Sequence, residues 1–336
     1  MPLTSAAASS TTPAAPAAGM LPADSPLLPS SPVLRRMLAG IARNREPGFH
    51  FPGNYAGLSF DRVASGDSLT SAPVMPFDAD ADGRLDGFIF AMLADLALAT
   101  CVRAEVVTEV RLATVNMHLQ LFDVPHGDRL EAHSAFESYV PGAAGRQAVS
   151  RTTIRGAGGE VAALGTASFM VLDLPPGRRV PPMRPLPAGE PALLPDPLAL
   201  AEDEAAIYRR AQAALKISDG AGFIHRFWGH RVRRNASGAS GTLMATPHVG
   251  NRMGHVQGGI QVGFAEATAR AALEGHWMPT SISACFLRPG EPPAVRAEAR
   301  IAHRGRTTAV VRVRLFNHDR KQVLDAQFAY AARKGA

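Results

Sequence analysis

The sequence predicts an α+β fold built from two similar halves, each a long apolar helix covered by a curved antiparallel sheet. The first observation behind this is an internal repeat. YAGLSFDRVASG (residues 55–66) aligns with FWGHRVRRNASG (227–238) at an offset of 172, and DADGRLDGFIFAMLADLALA (80–99) with NRMGHVQGGIQVGFAEATAR (251–270) at an offset of 171. The second is the run GFIFAMLADLALATCV (87–102), whose helix has no wide polar face and must be covered on most sides. The third is strand-like alternation after each helix. Val295, Ala297, Ala299 and Ile301 alternate with Arg296, Glu298 and Arg300, and VRVRLF (311–316) repeats the pattern. In the first half DRLEAHSAFESYV (128–140) and EVAALGTASFMVL (160–172) take these places.

Taken in order along the chain, residues 1–30 form an Ala/Ser/Thr/Pro-rich stretch that reads as a disordered extension. With no basic residue before Arg35 and no continuous apolar core, it lacks the plan of a secretory signal. Residues 31–173 form the first half. The apolar run 87–102 within it is short for a bilayer span and has Asp95 at its centre, which argues against a membrane span. LPPGRRVPPMRPLPAGEPALLPDP (174–197) breaks both helical and strand patterns and reads as a linker, leaving 198–336 as the second half.

Charge is uneven along the chain. Residues 1–175 carry 12 Lys+Arg against 17 Asp+Glu, net −5, and the remainder 23 against 12, net +11. A basic half suits a phosphate-bearing ligand, but no nucleic-acid-binding motif or aromatic-and-basic platform accompanies it, so nucleic acid is not expected. Cys101 and Cys285 are single and far apart, each in an apolar run. They suggest neither a metal cluster nor a disulfide framework, and a reducing cytoplasm fits them.

The string Asn251-Arg-Met-Gly-His-Val-Gln257-Gly258-Gly259, then Phe264-Ala-Glu266, then SISACFLRPGEPPAVRAEARIAHRGRTTAVVRVRLFN, resembles the hotdog-fold acyl-CoA thioesterases of the phenylacetyl-CoA type. That family typically shows His-Gly-Gly, a carboxylate in the following helix and a strand ending Phe-Leu-x-Pro. Gln257 stands where His is usual. In the first half Asp86-Gly87-Phe88 replaces His-Gly-Gly, while Leu93-Ala94-Asp95 keeps the helix carboxylate. The resemblance implies two tandem hotdog domains in one chain, an intrachain pseudo-dimer. It further implies hydrolysis of a CoA thioester, with coenzyme A entering as part of the substrate and no separate cofactor. Further association of the pseudo-dimer through sheet edges stays open.

Helix geometry adds a constraint of its own. Gly258 and Glu266 are eight residues apart, roughly 12 Å of helical rise. If the Gly258 amide at the helix N-terminus polarises a thioester oxygen, Glu266 cannot reach the carbon of that carbonyl, so the acid must come from another helix. Two neighbouring antiparallel helices would give two composite sites. One joins Asn251, Gln257 and Gly258 to Asp95; the other joins Asp80, Asp86 and Gly87 to Glu266, and the glycines Gly259 and Gly87 are expected against substrate. Asp95 is the only charged side chain between Asp86 and Arg103, and a buried carboxylate with no local cation points to function and a raised pKa. Glu266 has Arg270 at i+4, a common structural pair. One good site, on Asp95 and Gly258, and one degenerate site are expected.

In the resemblance Thr114 aligns with a hydroxyl that helps hold water or the carboxylate, and Asn251 or Gln257 orients the carbonyl or the attacking water. Asp95 would serve as general base or nucleophile. His255 is a further base candidate, although a lone turn histidine is more often a local hydrogen-bonder. Arg288, Arg304 and Arg306 are candidates for the phosphates of coenzyme A, because guanidinium groups give phosphate two parallel hydrogen bonds. Two other functions remain. A hotdog hydratase or dehydratase is opposed by the absence of an Asp-x-Asn-Pro-x-His signature. A non-catalytic acyl-CoA binder is favoured by the degraded first-half turn and by Gln257.

Overall fold

The computed structural model describes residues 19–79, 83–106, 110–174, 177, 180–217, 222–275 and 277–333. A short strand β1 (Met20–Pro22) and helix α1 (Pro32–Asn44) precede the first half, which contains β2 (Ser59–Ala64), β3 (Asp67–Pro73), α2 (Gly87–Glu105), β4 (Val110–Leu121), β5 (Arg129–Tyr139), β6 (Arg146–Gly156) and β7 (Val161–Asp173). A short strand β8 (Leu193–Pro195), α3 (Glu202–Lys216) and α4 (Phe223–Trp228) lead into the second half. There follow β9 (Arg231–Asn235), β10 (Gly238–Met244), α5 (Gly258–Ala272), β11 (Trp277–Phe286), β12 (Ala294–Arg304), β13 (Thr308–Phe316) and β14 (Gln322–Ala332). The two halves thus repeat the same order: hairpin, core helix, four strands.

Both sets of strands join in one twelve-stranded antiparallel sheet in the order β2-β3-β5-β6-β7-β4-β11-β14-β13-β12-β10-β9. The seam is β4 against β11, from Asn116 opposite Cys285 to Gln120 opposite Ser281. Helix α2 packs on the strands of the first half and α5 on those of the second. This is the tandem hotdog arrangement that the repeat and the all-round apolar helix predict. Helix α2 is long and apolar enough to cross a membrane by composition alone, but 83% of its apolar window is buried inside the protein.

The two core helices run antiparallel and touch. A Cβ on Gly259 would lie 2.4 Å from Met92 Cα, and one on Gly263 2.5 Å from Phe88 Cα. Only glycine permits backbones this close. Sequence neighbours on α5 therefore meet residues of α2 in reverse order, which carries the start of each helix towards the middle of the other.

The ends of the halves differ from expectation. Residues 1–18 of the expected extension lie outside the described residues; within 19–30, β1 is paired to β8. Of the stretch 174–197, expected as a linker, residues 180–197 dock on the first half. Leu186 bridges Phe60 on the outer strand β2, and the buried Arg43 donates to the carbonyls of Pro187 and Gly189 at 2.8 and 2.7 Å. Proline-rich composition announces the absence of regular structure and is silent about docking. At the opposite edge of the sheet, β9 exposes Arg231, Arg233 and Arg234.

Candidate active site

Gln257 ends the turn before α5 and caps that helix: its Oε1 accepts from the Ile260 amide at 2.9 Å. With the oxygen so used, the amide nitrogen faces the other way and donates to Asp95 Oδ2 at 2.5 Å. One side chain thus satisfies an orphan amide of its own helix and binds the carboxylate of the neighbouring helix. Asp95 Oδ2 accepts a second bond from the Gly259 amide, 3.2 Å, and Oδ1 accepts one from the Thr114 hydroxyl on β4, 3.3 Å. The Gly258 amide is at the first position of α5, has no carbonyl of its own helix to reach, and sits beside the carboxylate. A Cβ on Gly258 would lie 2.8 Å from Asp95 Oδ2.

Asp95 is 5% exposed. Burial pushes its carboxyl up from 3.8 to about 6, against the three hydrogen bonds that favour the charged form. The group faces a cavity of about 390 Å³ that is also lined by Thr114, Asn251, Gln257, Gly258 and Arg288. A carboxylate that is buried, hydrogen-bonded, open to a cavity and poised near neutrality is equipped to take a proton from water.

The structure redistributes several expected roles. Asn251 lines the cavity, but its side-chain oxygen accepts from the amides of Met253 and His255 at 2.9 and 3.3 Å, so it builds the turn. Gly259, expected against substrate, gives its amide to Asp95 and its missing Cβ to helix contact. His255 lines the cavity without a hydrogen bond to Asp95. Arg304 and Arg306 are not among the cavity residues. Arg304 donates to the Glu274 carbonyl at 3.0 Å beyond the far end of α5, and Arg306 lies in the turn between β12 and β13. A count of arginines does not say which strand ends face the cavity.

At the opposite end of the helix pair, Gly87 and Glu266 meet as the antiparallel pairing requires. A Cβ on Gly87 would lie 3.1 Å from Glu266 Oε2. Asp80 lies outside the described residues. Asp86 caps α2 by accepting from the Phe88 amide at 3.0 Å, and Glu266 Oε1 accepts from Arg270 Nε and Nη2 at 3.1 and 2.8 Å. The ring of Phe88, where α5 has Gly259, packs 4.6 Å from that of His230 and 6.5 Å from that of Trp228.

Residues that sequence reading missed line the rest of the cavity. They include Phe51, Phe60, Phe169 and Met183 as walls, together with Arg103, Arg111 and Arg252. Arg103 held a signal: it stands eight residues after Asp95, on the same helical face.

Comparison with known proteins follows the same lines. Residues 247–331 match the model of the acyl-CoA thioesterase N-terminal domain, a span that contains the Gln257 turn, α5 and the four strands after it. Among solved structures, the tesB protein of Mycobacterium avium subs paratuberculosis aligns over 89% of this chain and 100% of its own, at 11% identity and a TM-score of 0.50. A 12:0-ACP thioesterase from Umbellularia californica aligns over 79% of this chain and 93% of its own, at 9% identity and a TM-score of 0.51. A hot dog fold protein of Alicyclobacillus acidocaldarius aligns over 84% and 97%, at 11% identity and a TM-score of 0.50. At such identities these likenesses concern the fold. No curated protein matches the chain by sequence.

Proposed function

We propose, from a double-hotdog chain whose residues 247–331 match an acyl-CoA thioesterase domain, that this protein hydrolyses acyl-CoA thioesters at the site shared by Asp95 and the start of α5. The observation that carries the proposal is the crossing of Gln257 and Gly259 to a buried carboxylate that opens on a cavity. The thioester oxygen accepts the Gly258 amide, with the positive end of the α5 dipole behind it. Asp95 takes a proton from water bonded to Oδ1 beside the Thr114 hydroxyl, because Oδ2 is already occupied by two donors. The hydroxide adds to the carbonyl carbon, the tetrahedral oxyanion collapses, and the thiolate of coenzyme A leaves and takes up the proton. Arg288, exposed at the α5 end of the cavity, is placed for a phosphate of the leaving group. A reducing cytoplasm suits the two free thiols, Cys101 and Cys285.

Release of free thiol from a panel of acyl-CoAs tests the reading, with loss expected in a folded Asp95→Asn variant. Full hydrolysis by that variant would remove Asp95 from the mechanism. Single turnover in ¹⁸O-water distinguishes the two roles of Asp95. A general base leaves the protein unlabelled, whereas a nucleophile passes its own oxygen to the first product. Stabilisation by a CoA ester with no turnover would instead favour a binding protein.

A further inference from the structure

The cavity that holds Asp95 extends along α2 past Leu96, Ala99 and Thr100 to Arg103. Eight residues separate Asp95 from Arg103, so the arm is about 12 Å long on one helical face. Its walls are apolar: Phe60 and Phe169 are buried, and Met183 lies over it from the docked 180–186 stretch. Its end is cationic. Arg103, Arg111 and Arg252 all line it, and Asp95 is the single acid among the lining residues.

These arginines are buried or half-buried. Arg103 is 6% exposed and donates to the Val110 carbonyl. Arg252 is half-buried, with its guanidinium 5.9 Å from the centre of the Phe51 ring, and no carboxylate pairs with it among the described residues. Arg111 has a buried Nε without a hydrogen-bond partner. Burial holds both Arg252 and Arg103 below the ordinary guanidinium range, Arg103 at about 10, and the nearness of Arg252 adds to the effect on Arg103. Arg252, with no carboxylate partner among the described residues, and the unpartnered Nε of Arg111 are costly in a low-dielectric arm until an anion joins them. Because the apolar, covered arm begins at the reacting carboxylate and Arg288 lies exposed at the α5 end, the anion arrives on the acyl side of the thioester.

We propose that the acyl group hydrolysed here ends in a carboxylate received by Arg252 and Arg103, making the substrate class ω-carboxyacyl-CoA thioesters. This rests on the thioesterase reading above and deepens it. The apolar walls take the methylene or aromatic body, and the paired guanidinium groups take the terminal carboxylate by charge-assisted hydrogen bonds.

Calorimetric titration of the full chain with non-hydrolysable thioether analogues tests this, comparing S-(ω-carboxyalkyl)-CoA with S-alkyl-CoA of equal length. The carboxylated analogue is expected to bind about tenfold tighter or more. Arg252→Met should erase that preference, weakening the carboxylated analogue about tenfold or more and S-alkyl-CoA far less. Equal affinities in the native chain overturn the proposal with no variant needed. A loss in Arg252→Met that is shared by both analogues also overturns it, since the anion is then a phosphate of coenzyme A. Binding of neither analogue overturns both readings. Preference for the carboxylated analogue, with no cleavage of the corresponding thioester, sustains acyl recognition and sinks hydrolysis.

Discussion

At one end of the α2–α5 pair the second amide of α5, on Gly259, crosses to Asp95; at the other, the second amide of α2, on Phe88, turns back to Asp86. The difference lies in the capping side chain, an amide that both accepts and donates at one end and a carboxylate that only accepts at the other. Gln257 reaches the third amide of its helix and leaves the second to the neighbour, and its own nitrogen crosses as well. Asp86 accepts from the second amide instead, has no N–H to donate across, and brings negative charge to the helix start. Glu266 is left to Arg270, and the Phe88 ring replaces the glycine that would keep the approach open. Two ends built from the same repeat thus differ in whether the amides at the helix start serve the neighbouring helix or their own.

The largest effect should come from Asp95→Asn, which keeps shape and removes the base. Hydrolysis is expected to fall about a hundredfold or more, against little change for Glu266→Gln, as read by thiol release. Equal losses would break the asymmetry. Next comes Gly258→Ala. Its Cβ would stand 2.8 Å from Asp95 Oδ2, so the carboxylate must move, and a loss of at least roughly tenfold is expected. Gly87→Ala meets Glu266 Oε2 at 3.1 Å and should leave the rate intact.

Stability should move against activity. The Asp95 carboxyl is raised from 3.8 to about 6 in the folded protein, so its contribution is most favourable below pH 3.8, where both states hold the proton, and is lost as pH rises through 6. Asp95→Asn should therefore be more stable than the native chain above pH 6, by up to about 3 kcal/mol as read from denaturant unfolding. Below pH 4 the two should converge. Glu266→Gln should cost less than about 1 kcal/mol, the scale of a helical i,i+4 pair with one exposed partner.

The smallest effect sharpens the comparison by pH. The native rate should rise with pH through about 6 and then level, as Asp95 loses its proton. Gln257→Ala removes a donor to the carboxylate and should shift that midpoint upward, because the charged form loses support. An unchanged midpoint would show that Gln257 serves only as a cap.

Much of this was legible in the chain itself. The 171-residue offset carried the duplication, and the rise per residue of an α-helix sufficed to separate Gly258 from Glu266 and to require an acid from elsewhere. The lone acid in an apolar helix singled out Asp95. Three features were hidden for physical reasons. The double use of Gln257 depends on which way an amide turns in space. The place of Arg304 and Arg306 depends on where strands β12 and β13 end relative to the cavity. The docked path of 180–195 depends on carbonyl contacts with Arg43, which proline content does not encode.

The outermost strands of the twelve-stranded sheet bear on behaviour at high concentration. A sheet closed at its seam but open at its rims offers two templates for stacking further chains. Here β2 is obstructed by Leu186, and β9 carries a row of exposed arginines that repels its own copy. Each rim of the duplicated sheet is therefore guarded against fibrous aggregation.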